Sequence, residues 1–237
     1  MSHGSAPPAR RRGWLVAVLV VAALLGGCQA RPPAGPPPST EAAGQHQPPT
    51  LRFAGQKPTR TNPFLLAGGL TVFTGEHRGG GRFSVQVLNK DGEPQRVLFL
   101  ASGRYRGSTG LGLGGGIYRL AISASTPWTV EVIQPRGRPG AALPQRYRGA
   151  GDGLVGPFHV DRNLRVDAEH DGQGDVTVEL LSAQGPSLYF LVEETGRFKV
   201  SKTAADLEPG DYYLNIEADG TWRLALSEPA NDGAGSR

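Results

Sequence analysis

Two histidines at matching places are the first residues whose type and spacing could do chemistry. His77 and His170 each stand two residues before a Gly-x-Gly turn, at residues 79–81 and 172–174. Because the pattern occurs twice, we expect one structural task, in which the imidazole bonds turn backbone or caps a strand end. A catalytic or zinc site needs further partners. The sequence offers no His-x-x-x-His, a single cysteine and no Ser/His/Asp arrangement with a local signature, so we expect no catalytic residue and no cofactor.

Four carboxylates crowd together in the second half of the chain. They are Asp167, Glu169, Asp171 and Asp175. Calcium needs several oxygen ligands, and alternate residues of a strand share one face, so this run is a weak calcium candidate. At the matching places of the repeat described below stand Thr74, Glu76, Arg78 and Arg82. Any such site is therefore not a property of the shared fold, and we favour a solvated acidic face with no bound metal.

A glycine run at residues 110–116 satisfies the Gly-x-Gly-x-x-Gly spacing of dinucleotide sites. That fingerprint requires a strand before the glycines and a helix after them, so that the helix N-terminus faces the pyrophosphate. Residues 117–122 alternate between apolar and other residues, as a strand does. The run is therefore predicted to be a loop, with no bound nucleotide.

The elements that position these residues come from an internal repeat. Residues 116–135 recur 94 positions later at residues 210–229, with Gly, Tyr, Leu, Ile, Ala, Trp and Pro at matching places. Apolar residues at alternate positions place one face of an extended chain in a core. Each copy is predicted to be a β-hairpin. Trp128 and Trp222 are in phase with the core residues of their strands, so both are predicted to be buried.

The fold class follows from short alternating segments separated by turn residues. The 35 Gly and 20 Pro favour turns over helices. Seven or eight short strands in each copy predict an all-β protein with two tandem antiparallel β-sandwich modules of jelly-roll type. Module one is residues 51–135 and module two is residues 145–229. Residues 136–144 are the linker, and residues 230–237 a disordered tail.

The N-terminus carries an export signal. Arg10, Arg11 and Arg12 precede an apolar run at residues 14–25, which is too short to span a bilayer comfortably, so residues 1–27 are predicted to be a signal peptide. The sequence Leu-Gly-Gly-Cys at residues 25–28 resembles the bacterial lipobox. That resemblance implies that Cys28 receives a diacylglyceryl group and becomes the first residue after cleavage.

The residues after Cys28 indicate a tether. Residues 28–50 are rich in proline and have no apolar period, which predicts a disordered, extended segment that could hold the modules as far as roughly 70 Å from the lipid. Gln29 is not the Asp that resembles an inner-membrane retention signal. We therefore expect a membrane-anchored lipoprotein on the extracytoplasmic side of the cell envelope, with outer-membrane placement open.

The module pattern also has a resemblance. Strands that begin at an aromatic residue, His-x-Gly-x-Gly turns and the Gly-x-Tyr-x-Leu-x-Ile-x-Ala stretch with its Trp and final Pro look like small β-sandwich modules of exported bacterial proteins. Some of these are pre-peptidase C-terminal-like domains, and their shape is similar to that of carbohydrate-binding sandwiches. The resemblance implies the fold and carries no catalytic residue.

Charge is divided unevenly between the modules. Module one has ten Lys or Arg against four Asp or Glu, a net +6, and module two has eight against fifteen, a net −7. Either the modules dock on each other, or module one turns toward anionic lipid or envelope polymer while module two is repelled outward; we favour the second. The side chains expected at that surface are Arg78, Arg82, Arg96, Arg104, Arg106 and Arg119.

These observations define the expected function. Cleavage after residue 27 removes three Arg and no acidic residue, so the formal charge falls from +4 to +1 and no nucleic-acid partner is expected. We expect a lipid-anchored envelope protein that is not an enzyme and has a binding or structural role toward an envelope polymer, an anionic surface or a protein. The alternatives are an accessory or regulatory module of an envelope enzyme and, after that, a hydrolase.

Overall fold

The structure is a computed structural model that describes residues 47–229. The predictions for the signal peptide, for Cys28, for most of the tether and for residues 230–237 lie outside this range. Within it the regular elements are fifteen strands joined by antiparallel ladders. No helix in the described range is long and apolar enough to cross a membrane. The all-β prediction is confirmed.

Fifteen strands form two successive groups, each with its own core. Module one contains β1 Leu51–Gly55, β2 Thr59–Arg60, β3 Phe64–His77, β4 Arg82–Leu88, β5 Pro94–Ser102, β6 Tyr105–Ser123 and β7 Trp128–Ile133. Module two contains β8 Gln145–Ala150, β9 Gly153–Val160, β10 Leu164–His170, β11 Asp175–Ser182, β12 Ser187–Thr195, β13 Phe198–Ala204, β14 Gly210–Glu217 and β15 Thr221–Ser227.

Module two is a sandwich of two four-stranded sheets. One sheet has the order β13-β10-β15-β8 and the other the order β12-β11-β14-β9. Eight strands in these orders form the two Greek keys of a jelly roll. Alternate residues of both sheets meet in the core, where Phe158, Leu164, Leu180 and Leu214 have no exposed side-chain surface. The jelly-roll prediction is confirmed here.

Module one has the same topology with two longer strands. Its sheet runs β1-β7-β3-β6-β4-β5, with β2 also paired to β6. The start of β6 pairs with β3, and its end pairs with β4. The single strand β6 therefore takes the places that β13 and β14 hold in module two, and it joins the two sheets around a core of Phe73, Phe83 and Phe99.

The predicted hairpins are wrong. Strand β7 pairs with β1 and β3, and β15 pairs with β8 and β10, whereas β14 pairs with β9 and β11. In module two the strands β14 and β15 therefore lie in different sheets, and in module one the end of β6 pairs with β2, β3 and β4 and not with β7. The alternation identified their buried faces correctly. It could not identify their partners, because strands of opposite sheets bury alternate residues in the same core.

The predicted glycine loop is also wrong. Residues 110–116 lie inside β6, where they pair with β3. Gly110 and Gly112 are needed there because other parts of the chain come very close to them. A Cβ on Gly110 would lie 2.9 Å from a methyl group of Leu154 and from one of Leu181, both in module two. The run is a strand whose missing side chains admit the second module.

Candidate functional site

The two modules meet through a small apolar cluster. Leu70 of β3 packs with Leu181 of β11 and Tyr213 of β14, and all three are buried. Three half-buried residues surround them, namely Val72, Leu154 and Ala183. Buried apolar surface stabilises such a contact by roughly 25 cal/mol per Å². The junction is therefore held by the hydrophobic effect, which does not depend on the opposite charges of the modules.

Buried hydrogen bonds complete the junction. The side chain of Asn215, which is only 3% exposed, accepts hydrogen bonds from the Thr109 hydroxyl and from the Gly110 amide, both at 3.1 Å. Its amide nitrogen donates to Glu179 at 3.3 Å. Because a buried polar group without a partner is costly, this side chain ties the modules together at a defined register.

A second polar contact joins the modules at the first residue of β6. The Tyr105 hydroxyl donates a hydrogen bond of 2.7 Å to Asp152, whose other carboxylate oxygen accepts the Ala218 amide at 3.2 Å. Burial, followed by the nearby Asp152 charge, raises the pKa of Tyr105 well above its ordinary range. The phenol therefore stays a hydrogen-bond donor at every pH at which the protein is expected to work.

The linker is fixed at the same place. The Arg136 guanidinium donates to the carbonyl oxygens of Leu70, at 3.3 Å, and of Gly68. The Arg136 amide donates to Gln47 at 3.0 Å, and Gln47 in turn donates to the Gln134 carbonyl at 2.6 Å. The beginning of the described chain is thus bound to the segment that joins the modules.

The prediction from net charge that the modules separate, with module one turned toward an anionic surface and module two repelled outward, is wrong. Module one does not stand apart from module two; the two pack together. Within residues 47–229 one ion pair crosses between them, Arg96 with Glu217 at 4.0 Å, and both side chains are about half exposed. Exposed pairs contribute little, so the net charges did not reveal the contact that the apolar residues make.

Burial, and then the Asp152 charge, raise the pKa of Glu217.

Both histidines have the structural task predicted for them. Nδ1 of His77 donates to the Gly103 carbonyl at 2.7 Å, and Nδ1 of His170 makes the matching bond to Gly196 at 2.9 Å. Both glycines have positive φ, which glycine adopts without strain. The imidazoles are buried, at 1% and 3% exposure, and each one holds the turn that follows the fifth strand of its jelly roll.

The six arginines predicted to meet an anionic surface do not form one group. Arg78, Arg104 and Arg106 line one shallow pocket of about 390 Å³ with His77. Arg82 begins β4 opposite Ser102, next to this group. The remaining two lie elsewhere, since Arg96 faces Glu217 and Arg119 donates to the Thr61 carbonyl at the other end of β4. We call Arg78, Arg82, Arg104 and Arg106 the arginine end of module one.

The four carboxylates considered for calcium do not converge. Each has a different partner: Asp167 bonds Arg165 and Ser201, Glu169 bonds Lys199, Asp171 bonds Thr221, and Asp175 bonds Thr195. Throughout residues 47–229, no three His, Cys, Asp or Glu side chains are grouped closely enough to hold a metal ion. The hydrogen bonds from Ser201 and from Arg165 lower the pKa of Asp167, which keeps it an ionised acceptor.

The tryptophans are buried, as predicted. Trp128 is 3% exposed and Trp222 is 6% exposed. Their indole nitrogens donate to carbonyl oxygens at matching places, Lys57 at 3.1 Å and Gly151 at 2.8 Å. Each ring also lies against a glycine of the neighbouring strand, Gly55 or Gly149, where a Cβ would collide with it. Neither ring is available as a platform for a sugar.

One surface feature was missed in the sequence. The outer face of the sheet β13-β10-β15-β8 carries a groove of about 870 Å³. Five cationic side chains line it, namely Arg146, Arg148, Arg165, Lys199 and Arg223. They come from four strands that are far apart in the chain, so no local run of charge marks them. A signal was nevertheless present in β8, where Arg146 and Arg148 alternate with Tyr147 as outward-facing residues do.

Comparison with known proteins gives the chain no family. No family model and no curated protein sequence matches it. Among solved structures, it is similar to a conserved protein of unknown function from Pseudomonas aeruginosa PAO1, at 16% identity over 75% of this chain and 78% of that one, with a TM-score of 0.23.

Two further solved structures are similar at 8% identity. The PBSX exported protein XepA matches over 75% of this chain and 86% of its own, with a TM-score of 0.24. The N-terminal CBM22 tandem domain from Paenibacillus barcinonensis Xyn10C matches over 79% and 86%, with a TM-score of 0.23. At these values no function is carried over to this chain, and its fold is established by its own sheets.

Proposed function

We propose that this chain is an exported lipoprotein, anchored through Cys28 on the extracytoplasmic side of the cell envelope, with a non-catalytic role in binding an anionic surface. Its lipobox-like residues 25–28 and the proline-rich residues after them support the anchor and the tether. Two docked modules without a disulfide form the part that would face the envelope. The outer membrane is one placement that Gln29 permits.

The arginine end of module one is the observation that carries the proposal. Three guanidinium groups line one pocket there, Arg82 begins the strand beside it, and Glu76 is the carboxylate among the pocket residues, bonded to Arg78 at 2.9 Å. The His77 bond to Gly103 holds the turn directly before Arg104. Arginine stays charged at any physiological pH and binds phosphate and carboxylate through several donors, so the group suits an anionic surface.

The environment of His77 at the arginine end does not favour acid–base catalysis. Histidine is the residue type most often used for proton transfer near neutral pH, and His77 is the histidine among the residues of this pocket. Both of its ring nitrogens are already bonded, Nδ1 to Gly103 and Nε2 to the Thr126 hydroxyl at 2.7 Å. The ring is also buried and stacked on Phe83. It holds a turn and is not exposed to a substrate.

Vesicle binding tests the proposal directly. The protein beginning at Gln29 keeps every described residue and lacks the lipidated cysteine. It should bind phosphatidylglycerol-containing vesicles and not phosphatidylcholine vesicles, and added salt should weaken this binding. Arg82→Gln with Arg104→Gln should weaken it by roughly tenfold or more, at about 1 kcal/mol for each basic residue near the surface.

The control variant removes the same number of positive charges at another place in module one. Lys57→Gln with Arg60→Gln removes two exposed cations of module one outside the arginine end. It should change binding much less. Equal binding to both kinds of vesicle, or equal loss in both double variants, would overturn the assignment of this surface.

An exposed edge favours a second candidate, an accessory module bound to an envelope protein. Strand β12 is at the edge of its sheet, and Leu188, Tyr189 and Phe190 in it are 42%, 46% and 54% exposed. Exposed apolar edge strands are common protein contact surfaces. This candidate also agrees with the resemblance to domains that accompany peptidases. If it is correct, one envelope enzyme should co-purify with the protein and be lost in Tyr189→Ser with Phe190→Ser.

A further inference from the structure

We propose that the groove on the outer face of the sheet β13-β10-β15-β8 binds a linear, negatively charged polysaccharide. This site belongs to module two and is independent of the arginine end of module one. Its five cations, named above, stand on a module whose net charge is otherwise strongly negative.

The strand register places these cations side by side. Arg148 of β8 is directly opposite Arg223 of β15. Across the sheet Arg223 is opposite Glu169 of β10, which is opposite Lys199 of β13. Neighbouring strands are about 4.8 Å apart, so this row crosses about 14 Å of surface. Arg146 lies two residues from Arg148 along β8, about 6.6 Å away on the same face.

The protein neutralises the cations on this face only in part, since Asp167 pairs with Arg165 at 3.0 Å. Glu169 lies 2.6 Å from Lys199 and 3.8 Å from Arg223, so one carboxylate serves both. Among the described residues, Arg146 and Arg148 have no carboxylate partner. Like charges directly opposite each other, as Arg148 and Arg223 are, destabilise a sheet. The groove therefore has an excess of positive charge that a bound anion would neutralise.

The repeat supplies an internal control for this face. The residues of module one that match Arg148, Arg165 and Arg223 are Ala54, Val72 and Thr129. Val72 packs at the junction with module two, so module one's version of the face is partly covered. Arg146 and Lys199 do match cations of module one, Arg52 and Arg106, so the difference between the modules lies in the three arginines that module one lacks. They occur where the same face is left open.

The mixture of groups in the groove favours a sugar acid. Asp167 and Glu169 lie between the cations, and Ser201 adds a hydroxyl. Hydrogen bonds from Ser201 and Lys199 lower the pKa values of Asp167 and Glu169 respectively, so both carboxylates are ionised acceptors. A polymer with hydroxyl donors and regularly spaced carboxylates satisfies both kinds of group.

A nucleic acid fits the groove less well. Single-stranded nucleic acids need exposed aromatic rings on which bases stack. Tyr147 is the aromatic side chain among the groove-lining residues, and it packs against the core of module two. The anionic polysaccharide is therefore the occupant that we test.

The experiment compares polygalacturonate with its fully methyl-esterified form, which has the same backbone without charge. The purified protein beginning at Gln29 should bind the first by isothermal titration and not the second, with affinity falling as salt rises. Arg148→Gln with Arg223→Gln should weaken binding by roughly tenfold or more, because charge-assisted hydrogen bonds are lost. The melting temperature should not fall, since the variant relieves a like-charge pair.

The matched control is Arg162→Gln, which removes one cation of module two that bonds Asp206 away from the groove. It should leave the affinity unchanged. Binding of the esterified polymer, unchanged binding in the double variant, or tighter binding of a single-stranded oligonucleotide would each overturn the proposal. If the wild-type protein beginning at Gln29 binds polygalacturonate but not anionic vesicles, the role proposed for module one is wrong. The proposal for the groove is then still supported.

Discussion

Gly112 of module one and Gly185 of module two are in direct backbone contact. A Cβ on Gly112 would lie 2.6 Å from the carbonyl carbon and oxygen of Gly185, and a Cβ on Gly185 would lie 2.6 Å from the Gly112 Cα. Gly185 also has a φ of 110°, which side chains rarely adopt. Two glycines that are 73 positions apart in the sequence thus allow two jelly rolls to touch.

Gly112→Ala should therefore destabilise the docked protein. Backbone cannot move aside as a flexible side chain can, so the added methyl group should cost about 1–3 kcal/mol as an overpacked contact does. Gly114→Ala is the matched control in the same strand, because its Cβ would meet only the Tyr118 hydroxyl at 3.9 Å. Thermal unfolding should show a lower melting temperature for the first variant alone. Equal melting temperatures would contradict the contact.

Asn215→Ala should uncouple the modules. It removes the acceptor of the Thr109 hydroxyl and the Gly110 amide, at a cost of about 1–3 kcal/mol for the buried groups left unpaired. Calorimetry should show one transition for the wild-type protein and two for the variant. Gln56→Ala, which removes an exposed amide, should keep the single transition. The prediction fails if Asn215→Ala also unfolds in one step.

Glu217→Gln should make the protein more stable at pH 7 and not at pH 4. Burial and Asp152 raise the pKa of Glu217, so the folded protein keeps this proton to a higher pH than the unfolded chain does. Its contribution to stability is then present below the unfolded pKa of about 4.3 and is lost as pH rises through the raised folded value. Arg96 opposes the shift, and Glu217 is partly exposed, so the effect should be small.

The measurement is the difference in melting temperature between wild type and variant across that pH range. Carboxylates that do not interact with Glu217 titrate equally in both proteins and cancel. Glu193→Gln, an exposed residue of β12, should show no such crossover. A stability gain that is the same at pH 4 and pH 7 would show that the proton on Glu217 is not responsible.

Trp128→Ala and Trp222→Ala should each lower stability by about 3–5 kcal/mol, as truncation of a buried tryptophan does. Each variant should destabilise its own module, since each ring packs in its own core. Unfolding in denaturant measures the cost, and Trp→Phe at each place should lose less because a ring remains. An unchanged melting temperature together with lost glycan binding would indicate an exposed stacking ring instead.

The sequence predicted which face of a strand is buried better than it predicted which strands pair with each other. Alternation in residues 128–133 and 221–227 identified the buried tryptophans, because side-chain direction is a local property of a strand. Pairing is not local, so β6 and β7 were taken for a hairpin although β7 pairs with β1 and β3 and the end of β6 pairs with β2, β3 and β4. The repeated histidines were interpreted correctly for a related reason: the turn that each one bonds belongs to its own module.

Features that depend on contacts between distant segments could not be predicted. The glycines of β6 were expected to be a loop because the residues that require them, Leu154 and Gly185, stand in the other module. Net charge predicted either docking by attraction or separation of the modules at an anionic surface, and the second was favoured, yet Leu70 and Tyr213 hold the modules together. The cations of the groove become neighbours only through the register of four strands.

The most direct test of the functional account is the cellular location of a Cys28→Ala variant. Without the thiol that accepts the lipid, the protein should move from the membrane fraction and the detergent phase into the soluble fraction. The wild-type protein should be labelled by a radioactive fatty acid, and the variant should not. If Cys28→Ala remains membrane-bound and the wild-type protein takes up no label, the chain is not an anchored lipoprotein and the proposed function is wrong.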